Sequence, residues 1–246
     1  MVYMGSKSKY AQYIAPILQK IINDRGVSLY IEPFVGGANM IDKIKCERRI
    51  GYDRSDTLIA LLIQARDDFS EVLADGSREL WDKGKGYVKD GVMPDDMTLA
   101  EIGAMEFFAS FSSRGFPGGY ANNMAGHDYF HERRKNLEKQ APGLKGIEFY
   151  QGNYYDLEFP KGAVFYCDPP YAGTKHYGYA KQEKMDYERF WNWVRELSKD
   201  NYVFVSEQSA PEDFDVIWEM EARRTNGADN NYKATEKLFR YKDGLK

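Results

Sequence analysis

The segment at 164–171 constrains the fold most strongly, because an apolar run ends abruptly in Asp168, Pro169, Pro170 and Tyr171. The apolar run predicts a buried strand. Two successive prolines fix φ at about −65° and remove two backbone donors, so the turn is rigid and its carbonyls stay free to accept hydrogen bonds. Asp168 and the Pro169 carbonyl could accept the two hydrogens of an exocyclic amine while Tyr171 stacks on its ring. The alternative is a strand that simply ends in a proline turn.

The rest of the chain alternates short apolar runs with amphipathic stretches, a rhythm typical of α/β proteins. It begins with an amphipathic helix at 8–23, followed by a strand at 29–31, a glycine turn at 32–37 and a helical stretch at about 38–45. This beginning predicts a mostly parallel, Rossmann-like sheet with ligands at the carboxyl ends of its strands. Further predicted strands are 49–53, 147–150, 163–167 and 202–205, with a closing antiparallel hairpin at 216–222 and 235–241.

The alternation breaks down between residues 71 and 146. This stretch contains a glycine-rich part around Gly84, Gly86 and Gly91, and helices are predicted at 98–111 and 128–140. We interpret 71–146 as an inserted, mainly helical segment, and 1–70 together with 147–246 as one α/β domain.

Composition narrows the possible environments of the chain. The formal net charge of −4 argues mildly against nonspecific coating of nucleic acid, although a local basic groove remains possible. No apolar run approaches the ~20 residues of a membrane span, and no signal peptide is evident. Cys46 and Cys167 lack metal-ligand spacing, and His127 with His131 has no evident third ligand. We therefore expect a cytoplasmic protein that binds neither membrane nor metal.

The glycine turn and the residues around it suggest a nucleotide-like ligand. Glycine lets the backbone come close to a ligand. Asp53 follows Gly36 by 17 residues, at the end of the next predicted strand, where an acid can bind ribose hydroxyls. Together they favour an adenosine-bearing cofactor. Near the start, Lys7 could pair with a carboxylate and Tyr3 could lie against a sulfonium or purine, or Lys7 could be solvated.

Five segments, in chain order, resemble the motifs of the Dam-like (alpha-group) adenine-specific DNA methyltransferases: 3–7, 32–37, Asp53, 152–156 and 168–171. The resemblance implies a Rossmann-like methyltransferase sheet and S-adenosylmethionine as cofactor. Two departures are Ala38, where the family usually has a second glycine, and Tyr3, where the family often has tryptophan. The implied cofactor-binding residues are Tyr3, Lys7, Glu32, Phe34, Gly36, Gly37, Asp53 and Asp168.

The resemblance also implies the reaction: site-specific methylation of the exocyclic amino group of an adenine flipped out of double-stranded DNA, with Asp168, Pro169, Pro170 and Tyr171 as catalytic residues. In that family the target-recognition segment lies where 71–146 lies. The side chains there that suit phosphates and base edges are Ser113, Arg114, Asn122, Asn123, Arg133 and Arg134. They suit an ordinary polar loop or a solvated helix face equally well.

Two other functional interpretations stay open. The same clamp for a planar amine or amide could act on RNA adenine or on a protein glutamine. A cofactor-binding module without turnover is a third hypothesis, which a replaced Asp168 or Tyr171 would have favoured. For the DNA enzyme we expect a monomer or a weak dimer.

Overall fold

The computed structural model describes residue 1 and residues 5–111, 114–121, 127–171, 185–226 and 230–245, with the backbone alone at 222–226 and 230–234. One seven-stranded sheet organises this part of the chain. Its strands are β1 (Leu29–Glu32), β2 (Arg48–Asp53), β3 (Ile147–Gln151), β4 (Val164–Cys167), β5 (Tyr202–Glu207), β6 (Phe214–Asn226) and β7 (Asn230–Tyr241).

The spatial order of the strands is β3-β2-β1-β4-β5-β7-β6. Strands β1 to β5 pair in parallel, and β7 runs antiparallel to both β5 and β6. The parallel part has the Rossmann order, in which the chain reverses its direction of growth between β1 and β4. The predicted Rossmann-like α/β class is therefore confirmed. So is the closing hairpin, which is longer than predicted.

Alternation along the strands divides the core into two clusters, one on each face of the sheet. Tyr30 and Tyr166 belong to one cluster, together with residues of the helices α1 (Ser8–Arg25), α2 (Asp56–Asp67), α4 (Leu99–Phe108) and α5 (Tyr129–Leu144). Their neighbours Ile31 and Phe165 belong to the other, with Phe190 and Trp191 of α6 (Tyr187–Leu197). Burial on both faces explains why β4 is apolar throughout.

The inserted segment is mainly helical, as predicted, and packs on the same core. It contains α3 (Arg78–Asp90) as well as α4 and α5. Phe108, Phe130 and Leu137 from this segment share a hydrophobic cluster with the sheet residue Tyr30. In the described part of the chain, no helix has the length and apolar character to cross a membrane.

One prediction of secondary structure was wrong, and one helix was not predicted. The helix expected at 38–45 is only a short 3-10 turn, Ile41–Lys43. Gly36 and Ala38 have φ of 48° and 55°, and left-handed residues cannot begin a right-handed helix. The glycine-rich part of the insert is the regular helix α3, with Ser77 capping its first turn by accepting from Leu80 N.

Candidate active site

The candidate site lies at the carboxyl ends of β1, β2 and β4, beside the point where the strand order reverses. Glu32 and Asp53 are the last residues of β1 and β2, and Asp168 follows β4 directly. In open α/β sheets this crevice is the general position for ligands. Three acidic residues that are far apart in the sequence are thereby placed along one edge of the sheet.

A buried ion pair joins the start of α1 to the proline turn. Lys7 precedes the first residue of α1, and its Nζ lies 2.8 Å from Asp168 Oδ1. The lysine side chain is 6% exposed and that of Asp168 is 20% exposed, so solvent screens this pair little. The predicted pairing of Lys7 with a carboxylate is confirmed.

Burial and neighbouring charges act on Asp168 in opposite directions. Burial raises the pKa of Asp168, the ion pair with Lys7 lowers it and the charge of Glu236 raises it, and the net pKa is about 6 rather than 3.8. A group with a pKa of about 6 is mostly ionised at neutral pH. Asp168 is therefore a carboxylate that can accept hydrogen bonds at pH 7.

Tyr171 points into the protein. Only 8% of the residue is exposed, and its hydroxyl donates a hydrogen bond to Glu236 Oε1. Lys7 Nζ lies 4.2 Å from the centre of the tyrosine ring, a cation–π contact. The same Nζ is 3.7 Å from Glu236 Oε1. The predicted stacking of Tyr171 on a substrate ring stays a prediction.

The two prolines differ in environment. Pro169 is buried and Pro170 is exposed. The Tyr187 hydroxyl, in the first turn of α6, donates to the Pro170 carbonyl, which ties the turn to that helix. Burial raises the pKa of Tyr187 to about 12, so this hydroxyl remains a donor at neutral pH. The described residues provide no hydrogen-bond donor to the Pro169 carbonyl, which agrees with the free acceptor expected from two consecutive prolines.

The glycine turn folds back onto β2 and is held by Asp53. Gly36 N donates to Asp53 Oδ2 at 3.1 Å, and Ser55 N donates to Oδ1 at 3.0 Å. Burial raises the pKa of Asp53, while these backbone donors oppose the rise. A carboxylate has about four acceptor positions, so the backbone amides of Gly36, Ser55 and Arg54 leave acceptor capacity for a ligand. The turn comes so close to β2 that a Cβ on Gly51 would lie 2.7 Å from Val35 Cγ2.

The other residues of the predicted cofactor set have partners within the protein. Glu32 is 2% exposed and accepts from the Tyr30 hydroxyl at 2.7 Å, and burial raises its pKa well above the usual value. The Phe34 ring lies 5.1 Å from that of Tyr154. The Gly37 carbonyl accepts from Gln140 Nε2 of α5 at 3.1 Å. Tyr3 lies outside the described residues.

Asn153 carries a buried acceptor that is not used. Its Oδ1 has no hydrogen-bond partner among the described residues. The preceding Gly152 N donates to the Asp53 carbonyl at 2.9 Å, so Asn153 follows the end of β2 closely in space. A buried acceptor without a donor is costly, and a ligand amine or amide would remove that cost.

Of the predicted DNA-binding residues, the structure describes Arg114, Arg133 and Arg134. Arg133 is 8% exposed, and its Nη1 donates to the carbonyls of Phe108 and Ser110. This burial corrects the expectation that Arg133 contacts DNA, because its guanidinium supports the chain after α4. Arg134 donates to the Leu73 carbonyl at 3.1 Å, and Arg114 is partly exposed. Both remain predictions, and Ser113, Asn122 and Asn123 lie outside the described residues.

Sequence reasoning missed Glu236 and Tyr187 as site residues, and it included Asn153 only as a member of the motif at 152–156. For Glu236 a signal was present: it alternates with Leu238 on β7, so an acid occupies an inward-facing position of a strand. Tyr187 gave no such signal, because its contact with Pro170 depends on how α6 packs.

Fold and site together define a Rossmann-like α/β protein with a cluster of acidic side chains at the topological switch point, the general position for ligands in such sheets. No protein-family model matches the chain, and no curated protein matches it either. It is similar to the solved structure of the rRNA methyltransferase aviRa from Streptomyces viridochromogenes, with 10% identity over 96% of this chain and 85% of that one, at a TM-score of 0.43. SMU.472, provisionally named a methyltransferase and solved with SAH, has 10% identity over 96% of this chain and 54% of its own, at a TM-score of 0.32. Likenesses this distant do not identify a substrate.

Proposed function

We propose that the protein is an S-adenosylmethionine-dependent methyltransferase that methylates the exocyclic amino group of adenine in double-stranded DNA. The observation that supports this most directly is the turn at 168–171, which carries an ionised acceptor and a carbonyl that accepts no hydrogen bond from the described residues, beside the switch point of the sheet. The reaction type in this proposal is methyl transfer. The choice of adenine in DNA as the substrate depends on the resemblance of the motifs.

The residues at the ends of β2 and β3 fit an adenosyl group. Asp53 retains acceptor positions at the end of β2, where ribose hydroxyls bind in sheets of this kind. Asn153 Oδ1 is a buried acceptor that needs a donor, and the adenine ring of the cofactor carries an exocyclic amine. Two chemically different features of adenosine thus have candidate partners on neighbouring segments.

The charge of the site favours a cationic ligand. Asp168 and Glu236 both lie near Lys7, so two carboxylates surround one ammonium group in a poorly solvated place. A cation bound close to Asp168 would balance the second carboxylate. S-adenosylmethionine, when bound, supplies a methyl group on a positively charged sulfonium.

The proline turn then has to orient the nucleophile. An adenine amine is a poor nucleophile because its lone pair is delocalised into the ring. Asp168 and the Pro169 carbonyl accept its two hydrogens, which restores electron density on nitrogen and directs the lone pair. Asp168 does not need to be a strong base, since the amine becomes acidic only as it is methylated. Positioning is therefore the main contribution of these residues.

DNA as the substrate requires the base to leave the duplex, because its amine cannot be reached inside the stack. In this proposal Tyr171 stacks on the extruded base. One face of the Tyr171 ring already contacts Lys7. The base therefore stacks on the other face, or the contact with Lys7 loosens when the base enters. The inserted helical segment is the proposed source of target recognition, with Arg114 and Arg134 as its described cationic candidates.

The decisive experiment measures transfer of a labelled methyl group to matched substrates: duplex DNA, RNA of the same sequence and a glutamine-containing peptide. We expect labelled N6-methyladenine in DNA. Asp168→Ala should lower turnover at least about 100-fold, because the nucleophile loses its acceptor and its orientation, and Asp168→Asn serves as a second variant of native size. Asp200→Ala is the control, since that acid pairs with Lys161 at the amino ends of β4 and β5, away from the site.

Near-normal turnover by a folded Asp168→Ala protein would contradict the proposed role of the turn. Label in RNA or peptide but not in DNA would retain methyl transfer and overturn the DNA assignment. Absence of label in every substrate, together with absence of cofactor binding, would overturn the methyltransferase proposal itself.

A further inference from the structure

We propose that Glu236 is a positioning residue of this site, acting through Tyr171 and Lys7; the inference depends on the proposed function for its catalytic readout. Glu236 lies on β7, next to Lys237, which pairs with Glu207 at the carboxyl end of β5. Glu236 therefore lies at the carboxyl end of the parallel strands, where Asp168 also lies. Only 4% of Glu236 is exposed.

Two contacts of one oxygen connect Glu236 to the proline turn. Glu236 Oε1 accepts the hydrogen bond of the Tyr171 hydroxyl and lies 3.7 Å from Lys7 Nζ. Lys7 is also 2.8 Å from Asp168 and 4.2 Å from the centre of the Tyr171 ring. The four side chains come from the start of α1, the end of β4 and β7, so each restricts the movement of the others.

A buried carboxylate at position 236 lowers the free energy of unfolding, so stability alone does not explain why this residue is charged. Burying a charge is unfavourable, and removing a buried ion pair in favour of apolar residues is often neutral or stabilising. Glutamine could also accept the Tyr171 hydrogen bond. Glutamine lacks the charge that attracts Lys7. With a carboxylate at position 236, the ammonium group of Lys7 interacts with both Glu236 and Asp168.

Because Glu236 and Asp168 share Lys7, the charge of Glu236 changes how strongly Asp168 accepts a hydrogen bond. With glutamine at 236, Lys7 would interact with Asp168 alone, and the repulsion between the two carboxylates would disappear. Both changes lower the pKa of Asp168 and weaken it as an acceptor for the amine. The titratable groups that act on Asp168 from the surrounding elements are Lys7, Glu236, Glu32, Tyr166, Tyr171 and Cys167.

The test compares Glu236→Gln with Glu219→Gln. Glu219 lies on the same hairpin, is 60% exposed and faces Lys237 at 3.7 Å, so it provides the same chemical change away from the site. We expect Glu236→Gln to lower kcat for methyl transfer at least about tenfold through misplacement of the turn. Affinity for S-adenosylhomocysteine, which carries no positive charge on sulfur, should stay within about threefold, because Glu236 contacts none of the proposed adenosyl partners. The control should match the native protein.

Two further measurements separate positioning from a purely structural role. Carbon-13 NMR of labelled aspartate should show a lower pKa for Asp168 in Glu236→Gln and an unchanged pKa in Glu219→Gln. In a double-mutant cycle, Tyr171→Phe combined with Glu236→Met should lose no more activity than the worse single variant, because methionine removes the acceptor and both changes break the hydrogen bond between the Tyr171 hydroxyl and Glu236.

An unchanged Asp168 pKa, or fully additive effects in the cycle, would overturn the inference. Its failure can be distinguished from failure of the proposed function. If no substrate is methylated, the NMR titration and the same cycle measured on thermal unfolding still decide whether Glu236 acts on Tyr171 and Asp168.

Discussion

At the scale of single residues, Asp168 combines burial with a lysine at ion-pair distance, and the two influences oppose each other. Burial prevails, so its pKa is about 6 rather than 3.8. If the carboxylate form accepts the amine, activity requires Asp168 to be ionised. The pH at which activity is lost therefore reports on this one side chain.

We predict that kcat/KM for the cofactor falls as the pH drops through about 6, since this ratio reflects groups of the free enzyme. The measurement is a pH series of initial rates at subsaturating cofactor. A profile that stays flat from pH 5 to 8 would exclude Asp168 as the acceptor.

Stability should change with pH in the opposite direction. The folded pKa of Asp168 lies above its unfolded value, so between about pH 4 and 6 the folded chain holds more protons. The free energy of unfolding contributed by this group should therefore decrease as the pH rises through that window. Denaturant titrations should show this decrease in the native protein, and a smaller one in Asp168→Asn, which cannot titrate there.

Ala38 shows a limit of reasoning from residue types. The chain has alanine where the resembling family usually has glycine, a departure that casts doubt on the conformation of the turn. The structure gives Ala38 a φ of 55°, the left-handed conformation that glycine adopts easily. The surrounding contacts impose it: Ala38 N donates to the Val35 carbonyl at 2.9 Å, and its carbonyl accepts from Gln140.

At the scale of elements, α2 and α4 are packed so closely that a glycine is required between them. A Cβ on Gly103 would lie 2.2 Å from the Thr57 carbonyl oxygen. Beside this point, Thr57 Oγ1 donates to the buried Glu106 at 2.7 Å. The close approach therefore allows a buried hydrogen bond between the two helices.

We predict that Gly103→Ala destabilises the protein by about 3 kcal/mol or more, because overpacking outweighs the gain of about 1 kcal/mol in helix propensity. Gly86→Ala in α3 is the matched control, since a Cβ there meets nothing within 4 Å. The control should be neutral or slightly stabilising. Chemical denaturation of both variants checks the prediction, and equal stabilities would contradict the close packing.

The elements themselves were largely predictable where periodicity was strong. The helix predicted at 8–23 and the parallel strands agree with the structure to within a few residues. The α3 helix was not predictable because its glycines suggested irregular backbone, whereas Gly84 is needed where a Cβ would lie 2.9 Å from Phe116 Cζ. That close packing depends on the partner segment, which local sequence does not reveal.

At the scale of the whole molecule, the site is assembled from segments at both ends of the chain. Asp53 and Asp168 were predictable because each follows a strand in a recognisable pattern. For Glu236 the alternation along β7 indicates a buried acid but not its partner, because the contact with Tyr171 spans 65 residues and depends on the insertion of β7 between β5 and β6. A ligand that contacts several of these segments should stabilise the fold as a unit.

We predict that S-adenosylmethionine at about 100 times its Kd stabilises the native protein by about 2.7 kcal/mol. For a chain of this size that corresponds to a rise in Tm of roughly 5 to 10 °C. S-adenosylhomocysteine lacks the positive charge on sulfur, so it should raise Tm less if the acidic cluster around Lys7 favours a cation. Differential scanning calorimetry measures both shifts.

Asp53→Ala tests the contribution of the ribose contacts to this stabilisation. A Kd weakened tenfold leaves about 1.4 kcal/mol at the same ligand concentration, and Tm should rise correspondingly less. The readout must be the shift caused by ligand, because Asp53 also binds two backbone amides and its loss lowers the starting Tm. Asp53→Asn, which keeps one acceptor, should give an intermediate shift, and Asp200→Ala the full one. A full shift in Asp53→Ala would remove this residue from the cofactor site.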